Sequence, residues 1–461
     1  MREKESRGSL TRREFLKGVA GGAASLALLG LGIGGGRTLG QEGMISIGTL
    51  DRGTTFDPAD CMQILSWKIN DDLFDGLTVM DPETREVLPQ LATDWTISAD
   101  KKTYTFKLRE GALFQDGTPF DAEALKFSLQ RAATIGGSAA FFIKLYIDAD
   151  RIRVIDPFTI EIPLKAPQAD FLQMITIPVY APVSPASYTM EEFRPASPVG
   201  TGPYRLTLWE KGTLIKLERF AEYWDPARVK NDGCYWRIFT TPTPLKILFL
   251  NREVDMAWRE LSLEDMVEVT QDPNVGTSEG LGQIKYLVIN SDFPPFDKKE
   301  VRKAIAAAIN RVELSQTIYL GLEPPLYSLI PERLADVHQP VFKEMYGDGN
   351  IDLAQNLLRD AGFSKDNPLK MDLWYTPAHY GGEEADAALM IKNQLERTEM
   401  IQVELKSREW STYSLMSRKA ELGPVYLLGW GAAYATPDWY TTPFLSPTGT
   451  LGRRTGAKFQ E

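Results

Sequence analysis

Cysteine and histidine are nearly absent: the 461-residue chain has two of each, Cys61 and Cys234, His338 and His379. With no C-x-x-C pair and no clustered histidines, a structural zinc site has no support and no cofactor is implied. Ser–His–Asp hydrolysis is poorly served as well, because neither histidine sits in a recognisable nucleophile setting. Long apolar runs are missing too. The weakly apolar stretch Gly18 to Ile33 spans about 16 residues, short of the ~18–20 that cross a bilayer as a helix, and no run from residue 43 onward could span a membrane. Blocks of basic charge are also lacking. The 51 Lys and Arg are interspersed among 62 Asp and Glu, for a net charge of −11. Nucleic acid rewards basic patches, so it is excluded as a partner; an acidic balance favours solubility and names no other. There is no internal repeat and no low-complexity tract after residue 43.

What is present begins with Thr11-Arg12-Arg13-Glu14-Phe15-Leu16-Lys17, followed by the Gly- and Ala-rich apolar stretch. The pair Arg12-Arg13 ahead of a mildly hydrophobic segment reads as a twin-arginine export signal over residues 1–42, an address recognised by the Tat export machinery. This places the mature chain in the periplasm or on the extracytoplasmic face of a membrane. Gly34 to Gln41 has no A-x-A pattern, so an uncleaved, membrane-tethered form competes with a cleaved one. No cysteine follows closely enough for a lipid anchor. An exported chain permits a Cys61–Cys234 disulfide, and two separate small core residues are the competing reading.

Length alone calls for two lobes rather than one core. Met44 to Leu50 alternates as a strand, and Ile64 to Phe74 carries apolar residues at helical spacing up to Asp75-Gly76. Thr103 to Leu108 reads as a strand, and Asp121 as the N-cap of a helix through Ala133. Ile152 to Ile155 and Thr159 to Leu164 form a hairpin around Asp156-Pro157. The Pro-rich passage Pro178 to Pro203 suits a crossover between lobes, and its Gly200-Thr201-Gly202 allows backbone geometry closed to other residues. Strands follow at Tyr204 to Trp209 and Leu214 to Arg219. Asp297 and Glu300 make a capping box for a helix whose apolar face runs Val301, Ile305, Ile309, Val312 to about Tyr319. Further helices are expected through Leu353–Leu358, stopped by Ala361-Gly362, and from Glu383 to Arg397, before a strand Ile401 to Leu405. Strand–helix alternation in both halves argues α/β lobes.

Several separated blocks, in order, carry a resemblance. They include Phe56-Asp57-Pro58-Ala59, Asp75-Gly76-Leu77, Leu88-Pro89-Gln90-Leu91-Ala92, and Phe114-Gln115-Asp116-Gly117-Thr118-Pro119-Phe120. Val199-Gly200-Thr201-Gly202-Pro203-Tyr204, Tyr223-Trp224, Val301-Arg302-Lys303-Ala304-Ile305, Ala361-Gly362-Phe363 and Gly429-Trp430-Gly431 follow. Over nearly all of residues 43–450 the chain resembles the oligopeptide/dipeptide/nickel family of extracellular solute-binding proteins. The resemblance implies an α/β Venus-flytrap fold of the periplasmic-binding-protein type: lobe I over 43–79 and 196–284, an inserted subdomain over 80–195, and lobe II over 285–461. It also implies capture of a peptide or related small solute by lobe closure, delivery to ABC permease subunits, a monomer and no enzyme activity. Family members usually continue well beyond the Gly-Trp block, whereas this sequence ends at Glu461, so lobe II is expected to be incomplete.

Peptide-binding members place an aspartate a few residues after the Gly-Trp block, against the peptide ammonium. By spacing Ala433 stands there, which argues against that mode of capture; Asp438 could substitute, or serve as a turn or helix cap. The aromatic set around it, Trp410, Trp430, Tyr434 and Trp439 with Tyr413 and Tyr440, offers flat faces for apolar side chains or sugar rings, or forms core. Trp430 and Tyr434 lead as ligand contacts, with Trp410, Trp439, Asp438 and Arg418. On lobe I, Thr54 to Met62 resembles the cleft-facing segment, with Cys61 and Met62 as contacts. Oligosaccharide binding is the alternative in the same family. A secreted glycosidase would need two placed carboxylates, and no motif organises Asp438 and Glu404; a chaperone-like binder of extended chains would use the same cleft without a permease.

Overall fold

The computed structural model describes residues 27–30 and 43–452, apart from 260, 279, 281, 378, 432–435, 447, 448 and 450. The twin arginines Arg12 and Arg13 and most of the export segment lie outside the described residues. Two compact units emerge, residues 1–260 with 273–279 and residues 261–272 with 280–461.

The first unit is built on a mixed seven-stranded sheet. Its members are β1 (Ala27–Gly30), β2 (Met44–Thr49), β9 (Tyr204–Glu210), β10 (Leu214–Arg219), β11 (Gly233–Ile238), β12 (Met256–Trp258) and β13 (Val275–Ser278), in the order β13-β1-β12-β2-β11-β10-β9. Helix Ile64–Leu73 buries Leu65, Ile69 and Leu73 against Ile215, Leu217, Trp236 and Trp258 of this sheet. Between β2 and β9 the chain forms the hairpin β3 (Thr78–Met80) and β4 (Val87–Pro89). It then builds a separate antiparallel sheet of β5 (Ala92–Ile97), β6 (Thr103–Leu108), β7 (Arg153–Asp156) and β8 (Thr159–Pro163), in the order β5-β6-β8-β7. Helix Ala122–Thr134 begins where expected: the Asp121 carboxylate accepts from the Ala124 N–H at 2.8 Å.

Three family blocks meet at one buried carboxylate in this unit. Asp75 accepts from Gln90 Nε2 at 2.5 Å, Trp224 Nε1 at 2.6 Å and Tyr223 OH at 3.2 Å. Its own N–H donates to Thr201 Oγ1 at 3.3 Å. Gln115 Nε2 donates to the carbonyls of Leu73, Gly202 and Tyr204. The two glycines beside Thr201 are needed for close approach rather than for unusual backbone angles: a Cβ on Gly200 would lie 2.3 Å from Leu73 O, and one on Gly202 2.5 Å from Leu73 C. The whole Pro178–Pro203 passage stays within the first unit, so it is not the expected crossover; the chain passes between units at 260–261, 272–273 and 279–280.

The second unit is a doubly covered sheet of β14 (Gln283–Ile289), β15 (Leu369–Tyr375), β16 (Ile401–Ser407) and β17 (Val425–Gly431), in the order β14-β17-β15-β16. Strand alternation sends Val425 and Leu427 to one face and Tyr426 and Leu428 to the other. Helices Lys299–Ala308, Ile351–Asp360 and Glu384–Glu396 pack on the first face through Val301, Ile305, Leu358, Ile391 and Leu395. Helices Trp410–Arg418 and Pro437–Leu445 cover the second through Tyr413, Tyr440 and Phe444. The expected capping box does not form. The helix starts at Lys299 with Lys298 as its uncapped N-cap, which leaves Asp297 outside. The apolar face also ends early, because the chain breaks at Ile309, restarts as Arg311–Thr317 with Asn310 as N-cap, and turns Val312 outward at 43% exposure. Among the described residues no helix is long and apolar enough to cross a membrane.

Candidate functional site

Sheet topology points to a candidate site in the second unit. β15 runs parallel to β16 on one side and to β17 on the other. The connection β15–β16 moves one way across the sheet, and β16–β17 returns past β15 to its opposite side. Neighbouring strands whose connections leave in opposite directions open a crevice at their carboxyl ends, the usual ligand position in such sheets. Here that point lies between β15, ending at Tyr375, and β17, ending at Gly431. Parallel pairing between them reaches only Trp374↔Tyr426. Where the ladder stops, the buried Tyr413 hydroxyl donates to Leu427 O at 2.7 Å and lies 3.1 Å from Trp374 O, tying the diverging strands together.

Aromatic rings cluster at these carboxyl ends. The segment after β15 carries His379 and Tyr380. The His379 ring stacks on Trp410, the first residue of its helix, at 3.6 Å and 5°. Tyr380 meets the same Trp410 edge-on at 5.4 Å and lies against Gly429, where a Cβ would come within 2.7 Å of its ring. Partial burial holds the exposed-edge His379 below the ordinary imidazole range, against the pull of Glu409, so the stack is between neutral rings near pH 7. A Cβ at residue 429 would push against the Tyr380 ring. Substitution Gly429→Ala is expected to displace that ring and weaken ligand binding about tenfold or more, equivalent to ~1.4 kcal/mol. Calorimetric titration checks the affinity, and denaturant unfolding should show a smaller change in stability.

The expected contact residues separate by role. Trp430 and Trp439 stack at 5.5 Å, and each indole donates to a main-chain carbonyl: Trp430 Nε1 to Trp439 O and Trp439 Nε1 to Gly431 O, both at 2.9 Å. Their polar tips clamp helix Pro437–Leu445 to β17. Asp438 lies in the first turn of that helix, and its carboxylate accepts from Thr442 Oγ1. Tyr440 is buried and donates to Gly282 O at 2.7 Å. Tyr434 lies outside the described residues, and Arg418 is exposed in the last turn of helix Trp410–Arg418. In the first unit Cys61 is buried and burial pushes its thiol well up, whereas the adjacent Met62 is 41% exposed. Cys61 and Cys234 are both free, buried thiols. His379 and Tyr380 were missed in the sequence; the usable signal was their place just after the apolar strand Leu369–Tyr375.

Among the described residues no group of three or more His, Cys, Asp or Glu side chains is arranged to hold a metal ion. Aromatic rings gathered at the carboxyl ends of parallel strands in a two-unit α/β chain agree with one class, the periplasmic solute-binding proteins. More narrowly, the chain belongs to the bacterial extracellular solute-binding proteins, family 5, whose family model matches residues 86–452. It is 29% identical over 422 residues to the glutathione-binding protein GsiB of Escherichia coli O1:K1 / APEC, covering 88% of this chain and 78% of that one. Against GsiB of Escherichia coli strain K12 the identity is 30% over 409 residues, 85% and 76% of the two chains. The fold matches the unliganded open form of the periplasmic murein tripeptide binding protein MppA, with a TM-score of 0.73, 21% identity and coverage of 95% and 85%. It also matches the periplasmic binding protein DppA of Helicobacter pylori in complex with the peptide STSA, with a TM-score of 0.69, 24% identity and coverage of 86% and 80%.

Proposed function

We propose that this chain is the extracytoplasmic substrate-binding component of an ABC importer, which captures a short peptide or related small solute by lobe closure and passes it, chemically unchanged, to membrane permease subunits. The observation that carries this reading is the cluster of aromatic rings at the carboxyl ends of β15 and β17. Relatives named for glutathione and murein tripeptide support a short peptide or peptide derivative as the ligand. Oligosaccharide is the second reading, favoured by the flat, accessible His379–Trp410 stack. It is weakened by the indole N–H groups of Trp430 and Trp439, which are consumed inside the protein rather than left for sugar hydroxyls.

The reading includes export by the Tat route on Arg12 and Arg13, a monomeric receptor, and an inserted subdomain over 80–195 within lobe I (43–79 and 196–284), with lobe II from 285. The self-contained sheet β5-β6-β8-β7 supports that division. Ligand contacts are assigned to Trp410 and Tyr434 of the second unit. Thermal shift of the full chain against glutathione, mixed tripeptides, malto-oligosaccharides and nickel–histidine tests the reading. A ligand that binds only the folded state stabilises it by ~2.7 kcal/mol at a hundredfold excess over Kd. A shift with the peptides is expected; a shift with the sugars alone would replace peptide by oligosaccharide.

A further inference from the structure

Lys285 has no part in the binding reading, yet it sits behind the site. It lies on β14 directly opposite Gly429 of β17, so its side chain leaves the sheet on the same face. Its ammonium is 2.8 Å from Glu383 Oε1, 3.2 Å from Glu323 Oε1 and 4.0 Å from Glu384 Oε1. The Tyr319 ring lies 4.4 Å from the same nitrogen. Glu383 and Glu384 open helix Glu384–Glu396 and directly follow the segment that carries His379 and Tyr380. Glu323 is fixed from another side, since its carbonyl accepts from the buried Ser315 Oγ at 2.6 Å. One ammonium therefore joins a strand of the sheet, the chain after helix Arg311–Thr317, and the end of the aromatic segment.

We propose that Lys285 is a positioning residue: through Glu383 and Glu384 it holds the segment bearing His379 and Tyr380 against Gly429, so that the aromatic face is assembled before ligand arrives. This rests on the reading that ligand binds at that face. The segment is also tied by the contacts of the His379 and Tyr380 rings with Trp410. The ion cluster adds a directional tie and lowers the cost of ordering on binding.

The cluster also makes the tie sensitive to pH. Glu384 is almost fully buried, and burial pushes its carboxyl up to about 7, opposed by Lys285 and reinforced by Glu383 and Glu323. Burial alone would lower the Lys285 ammonium; the carboxylates outweigh it and hold it above the ordinary lysine range. The remaining titratable neighbours, Tyr319 and Tyr413, are raised by burial and stay neutral. The ordered segment thus binds a proton more tightly than a released one. Its order is fully present at low pH and weakens as pH rises through about 7, when a third carboxylate ionises around one ammonium.

Hydrogen exchange of the full chain tests this without any ligand. With intrinsic rates corrected, Lys285→Met is expected to speed exchange of residues 376–384 about tenfold while β15 and β16 stay protected. Lys285→Arg should restore protection. Glu384→Gln should abolish the loss of protection between pH 6 and pH 8. Glutathione or a tripeptide probe should bind about tenfold more weakly to Lys285→Met and normally to Lys285→Arg. Unchanged exchange over 376–384 in Lys285→Met overturns the proposal. Should that variant unfold, an unaltered pH response in Glu384→Gln overturns it instead. Failure of every probe to bind the wild-type chain would contradict the binding reading, and the exchange data would still decide the role of Lys285.

Discussion

Replacing Arg131 with methionine is expected to destabilise the first unit by about 3–5 kcal/mol, because it strands a buried carboxylate. The guanidinium of Arg131 grips Asp57 with both terminal nitrogens, at 3.0 and 2.7 Å, and neither side chain is more than 2% exposed. Arg131 also donates to Thr189 O at 2.6 Å and Glu192 O at 2.8 Å, while Asp57 accepts from the Arg194 N–H at 2.7 Å and the Ala59 N–H at 3.0 Å. The pair thus fixes the Phe56-Asp57-Pro58-Ala59 turn to helix Ala122–Thr134 and to the chain before Gly200. Methionine keeps the apolar stem and removes the charge. Adding Asp57→Asn should recover part of the loss, since the uncompensated charge goes with it. Denaturant unfolding of the two single variants and the double variant measures this; a loss below about 1 kcal/mol in Arg131→Met would place the pair among ordinary surface bridges.

Asp75→Ala is the second large effect, about 3 kcal/mol or more, because three donors from Gln90, Tyr223 and Trp224 lose one acceptor at ~1–3 kcal/mol each when buried. The same carboxyl gives a pH signature. Burial raises it to about 6, against the lowering effect of those donors and Arg228. A carboxyl raised in the folded state favours folding more as it gains its proton, so its contribution grows as pH falls through 6 and is absent above. Between pH 7 and pH 5 the wild-type chain should gain ~1 kcal/mol from Asp75 that the variant does not. Unfolding curves of both proteins at the two pH values isolate this difference from that of other titrating groups. Parallel pH profiles would mean that Asp75 does not titrate in this range.

These two networks explain why the ordered blocks could be read from sequence and why their roles could not. Phe56-Asp57-Pro58-Ala59, Asp75-Gly76, Gln115, Gly200-Thr201-Gly202 and Tyr223-Trp224 identify the family, yet in the structure they hold the first unit together. Local signals translated well where one short stretch decides the outcome. Alternation gave the strand Thr103–Leu108, and the Asp121 cap gave the start of helix Ala122–Thr134. Local signals misled where tertiary packing overrode them. Asp297 and Glu300 have capping spacing, but the helix begins at Lys299 because burial of Val301, Ala304 and Ile305 sets its register.

The aromatic wall was half visible. Trp410 could be picked from its neighbourhood, whereas its partner His379 lies 31 residues earlier, beyond any local pattern. Lys285 was invisible for the same reason, since its carboxylates lie 38 and 98 residues away along the chain. Trp430 and Trp439 were read as ligand faces, and no local pattern announced that their indole N–H groups would bond to Trp439 O and Gly431 O.

A short peptide is proposed to bind at the carboxyl ends of β15 and β17. Calorimetric titration of glutathione and defined tripeptides into wild-type protein and Gly429→Ala tests it most directly. The account predicts saturable one-to-one binding to the wild-type chain and about tenfold or greater weakening in the variant, with both proteins folded. Equal affinity in the two proteins would place the ligand elsewhere and contradict the account.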